Sequence, residues 1–462
     1  MEPLIHEDFV DKSGDIANSV HMKVMSRWFG IEEVQMKPFD FDYWNKSIIE
    51  FNNACENQNN DSIISCIQTL IDQINSRDDL IAEFLYVLEN TKFYENAGTC
   101  IYSNDDKLVF KIAELIGRIT FCSSDFVLHI FRNGFMGKIL IGYKENQHME
   151  QTVDVFFFIF NMIFEEDPDL RFFLIQNGIF DICSEAVLTQ YNFEVFETIF
   201  NTIFSFFTKP LKFERLPVNP VSNLMLAIRT LFESMLLPKF PQYSFEQRVK
   251  IVLMCLKSFS LYCSDVTSAS VLLMIGIPQL CYWVLTPDVQ TDIRVQIGEN
   301  LVNVINHAFY YGPQNYLSEF AKIINIQILA VYINLEYPMA CKCVLTIIHH
   351  LFAYSKEALI AANNSGLLTT LFELVKDADF SMKSTIIGVI CSVIVNAPPS
   401  IPLEMYLNNE IIDSLIDMID TEVFWNKEIP GALLILSEML PKDDEIYSVI
   451  SQFIHLPELQ PT

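Results

Sequence analysis

Glycine is scarce in this chain, at 14 of 462 residues. The sequence has no glycine-rich loop of the kind whose backbone amides cradle phosphates, no Gly-x-Ser-x-Gly nucleophile elbow and no His-Glu-x-x-His zinc helix. Basic side chains are also few: 30 Lys and Arg face 58 Asp and Glu, for a formal net charge of −28. Phosphate and anionic-lipid binding both rest on Lys and Arg, so direct nucleic-acid binding and attraction to acidic membranes are not expected. Long apolar runs are missing as well. The two most apolar stretches, Val155–Phe164 and Ile386–Val395, cover about half of the ~20 residues that a membrane span needs. They read as buried core helices, and no membrane insertion is expected. The first residues lack a basic start followed by an apolar core, so no secretory signal is expected there.

Two clusters come nearest to a metal or catalytic site. Cys341-x-Cys343 lies close to His349-His350, but side chains at i and i+2 of a helix diverge by about 200°, and zinc pairs use two to four intervening residues. Glu165-Glu-Asp-Pro-Asp169 has neither the glycine nor the spaced oxygen ligands of a calcium loop and reads as a solvated turn. The chain is therefore expected to be non-enzymatic, with no metal and no cofactor.

What is present is a large apolar fraction. Hydrophobic residues make up 51%, and mean hydropathy is +0.27, far from the composition of a disordered chain. Among the 11 cysteines, Cys122, Cys183, Cys255, Cys281 and Cys391 sit inside apolar stretches, where a free thiol behaves as a small hydrophobe. A reducing, cytoplasmic setting is expected. The 38 phenylalanines, many in runs such as Phe156-Phe-Phe-Ile-Phe160, read as core filling for helices packed on two sides.

A short pattern recurs along the chain: an apolar residue, Asn-Gly or a relative, then an apolar run. It occurs as Phe131-Arg-Asn-Gly-Phe-Met, Ile175-Gln-Asn-Gly-Ile-Phe, Leu273-Met-Ile-Gly-Ile-Pro, Asn363-Asn-Ser-Gly-Leu-Leu and Leu407-Asn-Asn-Glu-Ile-Ile. The register positions Gly134, Gly178, Gly276, Gly366 and Glu410 are separated by 44, 98, 90 and 44 residues, or one, two, two and one repeats. The two missing registers fall near 222–227 and 321–323. After each glycine comes a short apolar-periodic stretch, a polar break and a longer amphipathic segment, as in Leu367–Val375 followed by Phe380–Val395. Glycine between helices suits a left-handed turn, and alternating strand patterns are scarce. The fold class is therefore all-α, a superhelical α-solenoid of about eight repeats. Residues 1–60 read as an acidic segment, partly extended or disordered with one helix, 61–455 as the solenoid with a proline-rich insertion near 209–222, and 456–462 as a tail.

These units resemble the armadillo repeat, in which a short helix leads through glycine into a second helix and then a long third one. The resemblance covers roughly residues 110–440 and implies a concave groove that binds protein. In importin-alpha-like members a Trp-x-x-x-Asn pair on each third helix lines that groove, where Asn grips an extended peptide. Here Asn161 stands near the family's Asn position with Phe157 in the Trp place, while Asn201, Asn303, Asn306 and Asn396 fall at comparable offsets from their glycines. Glu197 and Ser392 hold the Trp places of Asn201 and Asn396. A separate candidate is Glu410, Asp413, Asp417 and Asp420, whose spacings of three and four align four carboxylates on one helical face. An acidic field favours basic partners. The expected function is a protein-binding scaffold or adaptor that takes a basic or extended segment of another protein. A divergent importin-alpha-like cargo receptor, shuttling to the nucleus, is the alternative.

Overall fold

The computed structural model describes residues 19–24, 27, 40–74, 82–122, 124–166, 168–208, 216–237, 241–287, 293–407, 409–419 and 428–454. Among these, every regular element is an α-helix except one short 3-10 turn, Glu404–Tyr406, and there is no strand. The expected all-α architecture is the observed one. The described residues cluster into two compact units, the first ending at Leu261 and the second beginning at Tyr262.

Each unit is built from the same three-helix element. In the first, Ser124–Arg132 leads through a turn into Phe135–Glu145 and then into the long helix Glu150–Glu166. The turn depends on glycine. Gly134, Gly178, Gly276 and Gly366 have φ of 68°, 82°, 72° and 77°, a left-handed conformation that costs a Cβ-bearing residue free energy. At Glu410, the fifth register position, there is no such turn: the helix Asn409–Asp417 has already begun. The register near 321–323 does coincide with a helix break, between Gln314–Ala321 and Ile326–Ala330. The one near 222–227 does not. There the chain runs straight through a 19-residue helix, Val218–Leu236. Pro217 precedes that helix and Pro220 lies in its first turn, where a missing amide donor is tolerated.

The repeat length reappears as hydrogen bonds between equivalent positions of neighbouring repeats. In the first unit Asn96 Nδ2 donates to Asn52 Oδ1 at 2.7 Å, Lys138 Nζ to Tyr94 O at 3.4 Å and Tyr191 Oη to Gln147 O at 3.0 Å, each across 44 residues. In the second unit Asn325 N donates to Tyr282 Oη at 2.6 Å and Ser392 Oγ to His349 O at 3.4 Å, each across 43 residues.

Long helices pack against long helices. Asn60–Ile74 lies on Asp106–Cys122, which lies on Glu150–Glu166, which lies on Phe193–Thr208. In the second unit Arg294–Tyr311, Pro338–Tyr354, Phe380–Asn396 and Ile429–Glu438 follow in the same way. A helix with neighbours on both sides buries most of its circumference, and Phe156, Phe157, Phe158, Phe160 and Phe164 are all in the core. Residues 19–24, within the N-terminal segment read as partly extended or disordered with one helix, are helical.

Candidate functional site

The first unit carries a ladder of polar side chains on two adjacent long helices, Glu150–Glu166 and Phe193–Thr208. At one end Thr198 Oγ1 donates to Asp154 Oδ1, across 44 residues. One helical turn further along, Thr202 Oγ1 donates to the carbonyl of Phe157 at 3.0 Å. At the far end Ser205 Oγ lies 2.7 Å from Asn161 Oδ1 and 3.3 Å from Glu165 Oε1, and Asn161 Nδ2 donates to Glu165 Oε1 at 3.4 Å. Asp154, Asn161, Glu197, Thr198, Asn201, Thr202 and Ser205 are all buried. Burying an unpaired carboxylate is costly, so the ladder needs cations.

Residues 19–27 supply them. The guanidinium of Arg27 places Nη2 2.9 Å from Asp154 Oδ1, donates also to Thr198 Oγ1, and reaches the carbonyl of Glu194 at 3.1 Å through Nη1. Lys23 Nζ lies 3.4 Å from Glu197 Oε1, and His21 Nδ1 lies 3.7 Å from Glu165 Oε1. The partner numbers rise from 154 to 165 as the segment's fall from 27 to 21, so the segment runs antiparallel to Glu150–Glu166. Val20 and Val24, one turn apart, are buried, while Met22 between them is 63% exposed. Val20, Lys23, Val24 and Arg27 therefore form an i, i+3, i+4, i+7 stripe turned toward the ladder.

Burial lifts the Asp154 carboxyl to about 6; Glu194 and Glu197 add to the rise, and Arg27 and Thr198 oppose it. The neighbouring rung manages its charge differently. Glu114, on Asp106–Cys122, is paired within its own helix by Lys111 at 2.9 Å and Arg118 at 3.1 Å. Asp154 and Glu197 find their cations in residues 19–27.

The residues singled out from the sequence fall in three places. Phe157 and Asn161 are fully buried and Asn201 is 3% exposed. Phe157 belongs to the core beside Tyr143 and Phe160, and Asn161 is held by Ser205 and Glu165. None of the three side chains is presented to solvent. In the second unit Asn306 is buried, Asn303 is half-buried with Oδ1 3.9 Å from Cys343 Sγ, and Asn396 ends its own helix, donating to Ser392 O at 2.9 Å. Glu410, Asp413 and Asp417 do share an exposed face of Asn409–Asp417, with Glu410 3.2 Å from Lys376. Asp420 lies outside the described residues. Glu165, read from the sequence as part of a solvated turn, is instead a half-buried rung of the ladder.

Arg27, Lys23, Asp154 and Thr198 are not among the residues that the sequence singled out. A signal for the segment exists: residues 16–31 contain no acid although the first 106 residues hold 20, against 7 bases. No such signal marks Asp154, which sits in a run of apolar residues. Among the described residues no group of three or more His, Cys, Asp or Glu could hold a metal ion.

No protein-family model matches the sequence, and no curated protein does. Solved structures do resemble it. An engineered protein of the Northeast Structural Genomics Consortium is similar over 90% of this chain and 98% of its own, at 11% identity and a TM-score of 0.57. A structure from work on a phosphorylation switch controlling the interaction between cadherin and beta-catenin covers 94% of this chain and 90% of its own, at 13% identity and a TM-score of 0.44. The first likeness is one of fold, and it places the chain among all-α helical-repeat solenoids. No single described helix is long and apolar enough to cross a membrane.

Proposed function

We propose that this chain is a non-enzymatic scaffold or adaptor of the armadillo type, which holds another protein against the face formed by its successive long helices. The armadillo assignment rests on the three-helix unit with its left-handed glycine turn and on a period of 43 to 44 residues in the inter-repeat hydrogen bonds. The observation that carries the binding function is the docking of the helical residues 19–24 and of Arg27. Lys23 and Arg27 lie against the long helices Glu150–Glu166 and Phe193–Thr208 and neutralise their carboxylates. Stacked repeats commonly use such faces for binding, and the partner expected here is a basic protein segment. Burial of Asn161, Asn201 and Asn306 favours an adaptor over an importin-alpha-like receptor, because none of these amides is presented to solvent. A cytoplasmic location goes with this reading, and ten of the cysteines from Cys55 to Cys391 are free thiols.

The test is quantitative capture from the source cells with the wild-type chain and with Glu197→Lys, alone and combined with Asp154→Lys, each shown to be folded by circular dichroism. Partners that depend on the ladder should drop at least tenfold in both variants. Recovery of the same proteins in the same amounts from all three would rule this face out as the binding surface.

A further inference from the structure

The docked segment has features of a ligand as well as of a structural element. Among its described residues, His21, Lys23 and Arg27 reach the ladder through polar atoms, and Val20 and Val24 are buried. Lys23 and His21 remain 49% and 33% exposed, and their contacts with Glu197 and Glu165 are long, at 3.4 and 3.7 Å. Arg27 alone makes a close, multiply bonded contact. Stripped of the segment, the two helices would present Asp154, Glu165, Glu194 and Glu197 along one strip. Such a strip attracts cations and has no use for an acidic or neutral ligand.

We infer that the helical residues 19–24 together with Arg27 are a resident, displaceable ligand, and that the same groove takes from partner proteins a short amphipathic helix carrying aliphatic residues at i and i+4 and Lys or Arg at i+3 and i+7. This rests on the scaffold reading above and specifies its partner. The ligand is helical and is recognised through carboxylates. Access to the groove is set by the segment's own departure. Because the segment is tethered, its effective concentration is on the order of millimolar, so a free helix at micromolar concentration competes poorly until the tethered copy is weakened.

The probe is a labelled synthetic peptide of residues 16–31, titrated into the full chain by fluorescence anisotropy. Wild type should bind it weakly. The chain carrying Lys23→Glu and Arg27→Glu should bind it at least tenfold more tightly, and adding Asp154→Lys and Glu197→Lys to that chain should abolish the gain. A peptide with Glu at both basic positions should not bind to any of the three. If the Lys23→Glu, Arg27→Glu chain binds no better than wild type, the inference is wrong.

Hydrogen exchange on the wild type supplies the second arm and needs no variant. Amides of 19–27 should exchange through local opening while Glu150–Glu166 stays protected. Exchange of both only through global unfolding would make the segment part of the core and overturn the inference even if the variants fail to fold. Loss of captured partners on charge reversal together with failure of the peptide test would leave the scaffold standing and remove only the displaceable helix.

Discussion

The two units bury polar side chains on their long helices, and they neutralise them by different means. In the first, Glu150–Glu166 and Phe193–Thr208 bury Asp154 and Glu197, which are met by Arg27 and Lys23 from a distant segment. In the second, Pro338–Tyr354 and Phe380–Asn396 bury Thr346, His349, Thr385 and Ser392. The nearby carboxylate is Glu428, 3.5 Å from His349. Burial holds the imidazoles of His349 and His350 down to about 3 and about 4, with His350 adding to the depression at His349, and burial lifts Glu428 to about 7. Near pH 6 all three groups are therefore largely uncharged. One ladder sets its carboxylates against cations from a distant segment; the other removes charge by burial. The first is the one chemically disposed to bind something.

The largest effect should come from the core that both units share. Phe157→Ala in the first unit and Ile390→Ala in the second each remove a fully buried side chain. They should cost about 3–5 and 2–5 kcal/mol in urea unfolding. A loss below about 1 kcal/mol at Phe157 would return that ring to the groove role read from the sequence.

Next comes a buried cation inside the charged unit. Lys257, on Phe245–Tyr262, is 5% exposed, and burial lowers its ammonium from 10.5 to about 8. A base with a depressed folded value costs stability wherever it is charged, below about pH 8, and the cost fades as pH rises toward 10.5. Each tenfold loss of proton affinity on folding corresponds to about 1.4 kcal/mol, so Lys257→Met should stabilise the protein by about 2–3 kcal/mol at pH 7. The variant should also lose the wild-type gain in urea midpoint between pH 8 and 10. An unchanged midpoint at pH 7 would mean that the ammonium is solvated or paired.

The two units should respond to acid through different groups. Below about 6 Asp154 takes up its proton and the attraction for Arg27 falls, with Glu194 and Glu197 on the facing helix favouring that protonation. Intrinsically corrected exchange at 19–27 should speed up several-fold from pH 7 to pH 5, and Asp154→Asn should flatten the response. The folded values of His349 and His350 lie below the ordinary imidazole value of 6.5, so their contribution to stability is present above 6.5 and is lost as pH falls toward 4. Glu428 works in the other direction: its raised value favours folding below about 4.5, an advantage lost as pH climbs through 7. His349→Gln should reduce the acid sensitivity of the second unit and leave exchange at 19–27 unchanged.

The smallest effect is expected on the exposed acidic face. Asp413→Lys with Asp417→Lys should change stability by no more than about 0.5 kcal/mol, and loss of the Glu410–Lys376 pair by a similar amount. If a basic partner uses this face, its affinity should fall in that variant and should weaken with salt, as the Debye length drops from about 10 Å at 0.1 M to about 3 Å at 1 M. Affinity indifferent to both would leave the stripe as a solubilising surface.

The repeat was legible because it depends on local chemistry. Gly134, Gly178, Gly276 and Gly366 each hold a left-handed turn that glycine alone adopts cheaply, so the period is written directly in residue identity. The apolar runs around Phe157 and Ile390 identified core helices for the same reason, since burial on two sides leaves little polar periodicity to see. Val218–Leu236 was harder, because a repeat that replaces two short helices with one long one loses its glycine and with it the signal.

The ladder was not legible, and the cause is the long sequence distance its contacts span. Asp154 meets Thr198 across 44 residues and Arg27 across 127. Neither spacing leaves a mark on the neighbours of Asp154. By itself the sequence determined the all-α class, the repeat period, the acidic charge and the turns between helices, all consequences of short-range backbone and burial preferences. Only the tertiary structure decided which of the 58 acids are buried, which cation answers each, and that Asn161 and Asn201 face inward, because those outcomes depend on how stacked helices bring distant side chains within a few ångströms of one another.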